Sequence, residues 1–136
     1  MFSSKTLAKG AAVAAFSAAL LGASPAFGDA GENVTSSYGF TRADGVKITW
    51  VSAWSYQSSG NKTVSVKDGY GDSHSVYTLY DRKNTTGLRL DNDNGAGSTV
   101  TSGSSATNYV VKVTACIDIQ AAPDQCGPDD RPGDGR

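Results

Sequence analysis

The chain has 136 residues, 38% hydrophobic and 18% charged, with 12 Lys and Arg against 13 Asp and Glu and a formal charge of −1. That length suits one domain, and the slightly acidic balance offers no basic footprint for nucleic acid or for an anionic membrane surface. With one histidine and two cysteines, the chain is also short of ligands for a closed zinc site, which takes about four.

Residues 1–28 read as a secretory signal peptide. Lys5 and Lys9 make a basic start, Ala11 to Gly22 is an apolar run, and small residues follow. That pattern is a leader with cleavage between residues 26 and 30. The run is shorter than the roughly 20 apolar residues a spanning helix needs. Its removal leaves roughly 108 residues with a charge of about −3, a small domain with a thin core. No second apolar run follows, so the expected location is secreted and extracellular, without membrane association.

DAGENVTSS, from Asp29 to Ser37, is polar, with Val34 its one sizeable apolar side chain. It predicts an extended N-terminal arm over residues 29–38. A β pattern then begins. In VKITWVSAWSY the even positions carry Val46, Ile48, Trp50, Ser52, Trp54 and Tyr56, and the odd ones Lys47, Thr49, Val51, Ala53 and Ser55. Alternation with a period of two predicts a strand with every aromatic on one face. The mid-strand position of Trp50 points to the core. Trp54 and Tyr56, at the loop end, are candidate partner contacts, because Trp and Tyr offer large area with few rotamers to freeze.

QSSGN has turn composition, and KTVSVKD predicts a second strand with Val64 and Val66 inward, making a hairpin. DGYGD turns again. SHSVYTLYDRK sets Val76, Thr78 and Tyr80 on one side and Tyr77 and Leu79 on the other. NTTG is a turn before a short strand at Leu88 to Leu90, DNDNGAGS a long turn, Thr99 to Thr101 a brief pairing segment, and NYVVKVTACIDI the last strong strand. The expected fold is all-β: a small antiparallel β-sandwich of six to seven strands over residues 39–126. Residues 127–136, rich in Pro, Gly and Asp, read as a flexible tail.

Cys116 and Cys126 predict one disulfide, since an isolated pair in an exported chain is oxidised. The bridge would fold the segment after the last strong strand back against the sheet. Asp91 and Asp93, in DNDNG, are weak calcium candidates. The EF-hand spacing fails, because Gly95 falls where a ligand should be and Ser102 stands at the twelfth position. His74 sits in DSHS, where neighbouring strand residues point to opposite faces and make no nucleophile–base pair. No nucleophile elbow, catalytic free cysteine or phosphate loop is present, so no catalytic residue, cofactor or enzymatic activity is expected.

KDGYGDSHSVYTLY, LDNDNGAGSTV and the closing VVKVTACIDI with DQC resemble small secreted β-sandwich proteins of filamentous actinomycetes. In plan (signal, polar arm, compact β-domain, no catalytic set) the chain is similar to the adaptor subunits of Streptomyces umbrella toxin particles. That resemblance implies a protein-binding adaptor that joins larger toxin or lectin-like subunits through its arm and a strand edge. The triplet Trp54-Ser55-Tyr56 resembles the Trp-Arg-Tyr triplet of the proteinaceous α-amylase inhibitors of Streptomyces, which implies a secreted hydrolase as the alternative partner. Ser55 departs from it where the arginine would pair with carboxylates, and that family's two disulfides are absent from this part of the chain.

Overall fold

The computed structural model describes residues 31–133, so the signal peptide expected over residues 1–28 lies outside them. In chain order the strands are β1 (Val34–Thr41), β2 (Lys47–Ser55), β3 (Ser65–Asp68), β4 (Ser75–Arg82), β5 (Thr85–Asn92), β6 (Thr99–Thr101), β7 (Val110–Asp118) and β8 (Gln125–Cys126). They form two four-stranded antiparallel sheets, ordered β1-β2-β3-β6 and β8-β7-β4-β5. No helix among the described residues is long and apolar enough to cross a membrane.

The core lies between the sheets. Val34, Val51, Ala53 and Val66 come from one side, and Val76, Tyr80, Val110, Val113, Ala115 and Ile117 from the other. Valine dominates because β-branched side chains pack well on a pleated surface. Burying each one contributes about 1.5–3 kcal/mol, so many small terms hold the sandwich.

Alternation places Val64, Val66, Val76, Thr78 and Tyr80 inward as expected. It fails in β2, for a local reason. Tyr38 pairs with Val51 while the next residue, Gly39, pairs with Thr49, so Trp50 is an extra residue on β2. This is a β-bulge, which shifts the facing of everything beyond it by one position. Val51, Ala53 and Ser55 are therefore buried, and Trp54 and Tyr56 turn outward. The aromatics do not share one face. Trp50 is half-buried and packs against the core with Tyr38. Gly39 lies opposite the bulge, and a Cβ there would strike the Ile48 carbonyl.

Two boundaries are corrected. The polar arm is not an arm beyond Asn33: Val34 begins β1, is 0% exposed, and belongs to the core rather than to a partner-binding surface. Ser36 sits inward beside it, and this serine on the inner face disguised the strand as a polar segment. The tail is not free either. Residues 127–130 run antiparallel to β7, with Gly127 N–H donating to Ala115 and with Val113 and Asp130 exchanging both backbone hydrogen bonds. Asp130 is 2% exposed. Its Oδ2 accepts from the Thr35 N–H at 2.8 Å, and the Pro128 carbonyl accepts from Ser36 Oγ at 2.6 Å. The segment thus covers the outer edge of β1 at residues 35–37. A Cβ on Gly127 would strike the Ser37 carbonyl.

Cys116 and Cys126 are bonded, facing each other in the β7–β8 register with 4.1 Å between their Cα atoms. β5 is longer than expected, running back to Thr85 and leaving only Lys83 and Asn84 to turn the hairpin from β4. Buried polar side chains join the sheets at their loops. Arg82 on β4 donates to the carbonyls of Lys62, Asn108 and Gly103 and to Ser102 Oγ. Asn92 on β5 donates to the carbonyls of Val66 and Ser98.

Two stability measurements check this account. Replacing Cys116 and Cys126 together by serine lowers unfolding free energy in urea by about 2–3 kcal/mol, the entropy of a loop this short. Arg82→Met, which keeps apolar bulk and strips four acceptors of their donor, costs about 2–3 kcal/mol.

Candidate functional site

The outer face of sheet β1-β2-β3-β6 carries Trp54 and Tyr56. In the register Trp54 stands between Thr35 of β1 and Ser65 of β3. Its ring stacks on Tyr56 with centroids 6.1 Å apart and planes 27° apart. Tyr56 is 45% exposed. Beside the pair runs a groove of about 250 Å³ lined by Thr35, Ser37, Ser52 and Pro128 as well as the two aromatics. The lining carries hydroxyls and no charge. Ser55, between the aromatics in sequence, points the other way: it is 1% exposed and its side chain meets Asn61 Nδ2. The chain reverses after Tyr56 through a 3-10 turn, Gln57–Ser59, closed by Gly60 in the left-handed region. Asn61 Nδ2 then donates to the carbonyls of Glu32 and Ser55, which fixes the turn and with it the angle of Tyr56.

A second cluster, invisible to the strand pattern, lies at one end of the inner layer. Trp50 is ringed by Tyr38, Phe40, Tyr70 and His74 at centroid distances of 6.5, 5.7, 5.6 and 6.1 Å. His74 is held by its backbone, whose N–H donates to Asp72 Oδ1 at 3.1 Å. An adjoining cleft of about 170 Å³ lies between the β3–β4 and β5–β6 loops. Trp50 keeps the inward facing that alternation predicts, and the cluster gathers around it from distant β1 and β3–β4 loop residues.

The two calcium candidates separate. Asp91 is ion-paired with Arg89 at 2.8 Å, while Asp93 borders the cleft. Among the described residues no group of three or more His, Cys, Asp or Glu comes together in a way that could hold a metal ion.

On the outer face of the other sheet, Arg89 lies over the Tyr77 ring at 3.6 Å from its centroid, and Tyr77 Oη donates to Asp124 Oδ2 at 2.6 Å. Asp124 also accepts from the Ile119 N–H, which ties the β7–β8 loop down. Burial, then the hydrogen bond to Asp124, raises the Tyr77 pKa from 10.0 to about 12. The same hydrogen bond lowers that of Asp124. This is a structural staple, since both polar groups are consumed by each other.

No protein-family model, no curated protein and no solved structure matches the chain. The site is therefore read from its own chemistry.

Two outcomes follow from the placement of the aromatics and the staple. Trp54→Ala changes unfolding free energy by less than about 1 kcal/mol, whereas Trp50→Ala, which empties the aromatic cluster, costs about 3 kcal/mol. In an absorbance titration Tyr77 ionises near pH 12, and Asp124→Asn returns it toward 10. Because the folded pKa is the higher one, its stabilisation is complete below pH 10 and is lost between pH 10 and about 12.

Proposed function

We propose that this chain is a secreted, non-catalytic protein-binding module that docks a larger secreted protein through the Trp54–Tyr56 face. The observation that carries the reading is the stacked aromatic pair standing outward on a hydroxyl-lined sheet surface. Two amphipathic rings fixed by their mutual stacking present contact area that loses little entropy on binding. The neutral lining favours a partner surface of backbone and apolar side chains over a charged one. A disulfide and the lack of a membrane-crossing helix among the described residues are compatible with export.

An adaptor role, joining a toxin or lectin-like subunit to a larger assembly, would work through this face. The N-terminal segment is committed to β1, and the first half of the outer edge of β1 is covered. The inhibitor reading keeps the two outer positions of the aromatic triplet side by side. Its central position is Ser55, which is buried, so no cation is offered to an acidic cleft. The geometry therefore favours the module over the hydrolase inhibitor.

The test is purification of the tagged protein under native conditions from its producer's culture medium, with mass analysis of the intact assembly. Stoichiometric recovery of a larger secreted chain, lost in Trp54→Ala while the variant stays folded, supports the reading. Recovery as a lone monomer sinks it, and amylase inhibition then becomes the assay.

A further inference from the structure

The groove beside Trp54 and Tyr56 limits what a partner can put into it. Thr35, Ser37, Ser52 and Pro128 line its volume of about 250 Å³ with the two aromatics. Thr35, Ser37, Tyr56 and Pro128 are exposed, and Ser52 and Trp54 half-buried, so a ligand can reach them from solvent. Thr35 stands opposite Trp54 in the β1–β2 register and Ser37 opposite Ser52, which sets the three hydroxyls in a compact patch beside the indole. Among the described residues these hydroxyls, the indole N–H and the Tyr56 phenol are not spent on hydrogen bonds. The indole N–H only donates, and each hydroxyl can donate. No carboxylate, amide or cationic side chain lines the groove.

This chemistry narrows the docked element. An extended peptide commonly satisfies its backbone by joining a sheet edge. That mode is absent here, because the groove lies on the sheet face and residues 127–130 cover the β1 edge at residues 35–37. A backbone N–H brought into the groove loses water and finds no ladder of carbonyls. A helix keeps its N–H groups satisfied, but its carbonyls are spent as well, so the donors of the groove go unanswered. A saccharide brings many hydroxyl donors, for which carboxylates are the strong acceptors, and the lining holds none. A proline-rich segment meets both conditions. Proline has no N–H to lose, and the polyproline II helix makes no internal hydrogen bonds, so its carbonyls all remain acceptors. Its preformed geometry and rigid rings suit an aromatic-lined groove. Pro128 already sets a proline of the chain itself in the groove wall.

We propose that the groove takes a proline-rich segment of the partner in the polyproline II conformation. Its rings pack on Trp54 and Tyr56, and its carbonyls accept from Thr35, Ser37, Ser52 and the indole. This inference rests on the docking reading of the same face and names the element that is docked.

The experiment is an NMR titration of the isotope-labelled full protein with a capped hexaproline peptide. The controls are a capped Gly-Ser peptide of the same length and cellotriose. The chain has two Trp, and the indole signal missing from Trp54→Phe identifies Trp54. The expected result is a saturable shift of the Trp54 indole N–H and of the Thr35, Ser37 and Ser52 amides, with hexaproline alone. Trp54→Ala, followed through the Thr35 and Ser37 amides, should weaken binding at least about tenfold. The double variant Ser37→Ala with Ser52→Ala keeps both rings and removes two donors, and should weaken it about threefold or more.

Absence of a saturable shift with hexaproline overturns the proposal. So does an equal response to the Gly-Ser peptide, a response that survives Trp54→Ala, or a response to cellotriose in place of hexaproline, which would make the face a saccharide site. The docking reading fails separately. A larger secreted chain whose recovery depends on Trp54, together with no hexaproline binding, overturns this inference and leaves the docking face standing.

Discussion

One hydroxyl joins three parts of the chain. Ser36 Oγ, on the inner side of β1, accepts from the Ala115 N–H of β7 at 2.9 Å and donates to the Pro128 carbonyl at 2.6 Å. A sandwich of two flat sheets has open sides, where backbone groups would meet water or another chain. Here one side is sealed, because the segment after β8 runs between β1 and β7 and bonds to both. Serine is among the smallest side chains that can donate and accept at once. An alanine in its place would leave a buried amide of β7 without a partner. The Asp130 carboxylate does the equivalent work one residue earlier on β1, at Thr35.

The core itself is modest, as the valine count requires. Uniqueness of the packing therefore rests heavily on polar side chains that reach from one sheet to backbone of the other. Arg82 gathers the loops at one end around its guanidinium, and Asn92 ties β5 to β3 across the layers. Each such group has a fixed number of donors in fixed directions, so it accepts one arrangement of the loops and rejects others. The aromatic face and the cleft are shaped by ties of the same kind. Asn61 sets the turn beneath Tyr56, and the Asp68 and Asp72 carboxylates shape the cleft.

The legible part of the fold was the part governed by side-chain alternation. Val64, Val66, Val76, Thr78 and Tyr80 declared their facing, and the cysteine pair declared its bond. The facing of Trp54 and Tyr56 was not legible as part of β2, because a single inserted residue at Trp50 reverses the parity and nothing local marks it. Proximity to the loop nonetheless marks Tyr56 as exposed, while Trp54 is half-buried. Val34 reads as an exposed contact in sequence because its neighbours are hydroxyl residues, yet it is fully buried. Their inward member, Ser36, is satisfied by groups 79 and 92 positions away. The segment after β8 is hidden for the same reason: Asp130 is buried by backbone pairing with β7, which the Pro-, Gly- and Asp-rich composition does not reveal. The cleft is not legible either, since it forms only where two loops distant in sequence meet.

The seal on β1 has a consequence in time. A chain that emerges amino end first produces β1 early, yet the partners of its outer edge come 92 and 95 residues later. Until then the strand has β2 on one side and nothing on the other. The domain cannot close progressively behind its own synthesis. It stays open along one flank and completes in a single late event when residues 113–130 arrive together. Contacts so distant in sequence make that event slow relative to local hairpin formation. Once that flank is closed, the bond between Cys116 and Cys126 holds the segment after β7 in place.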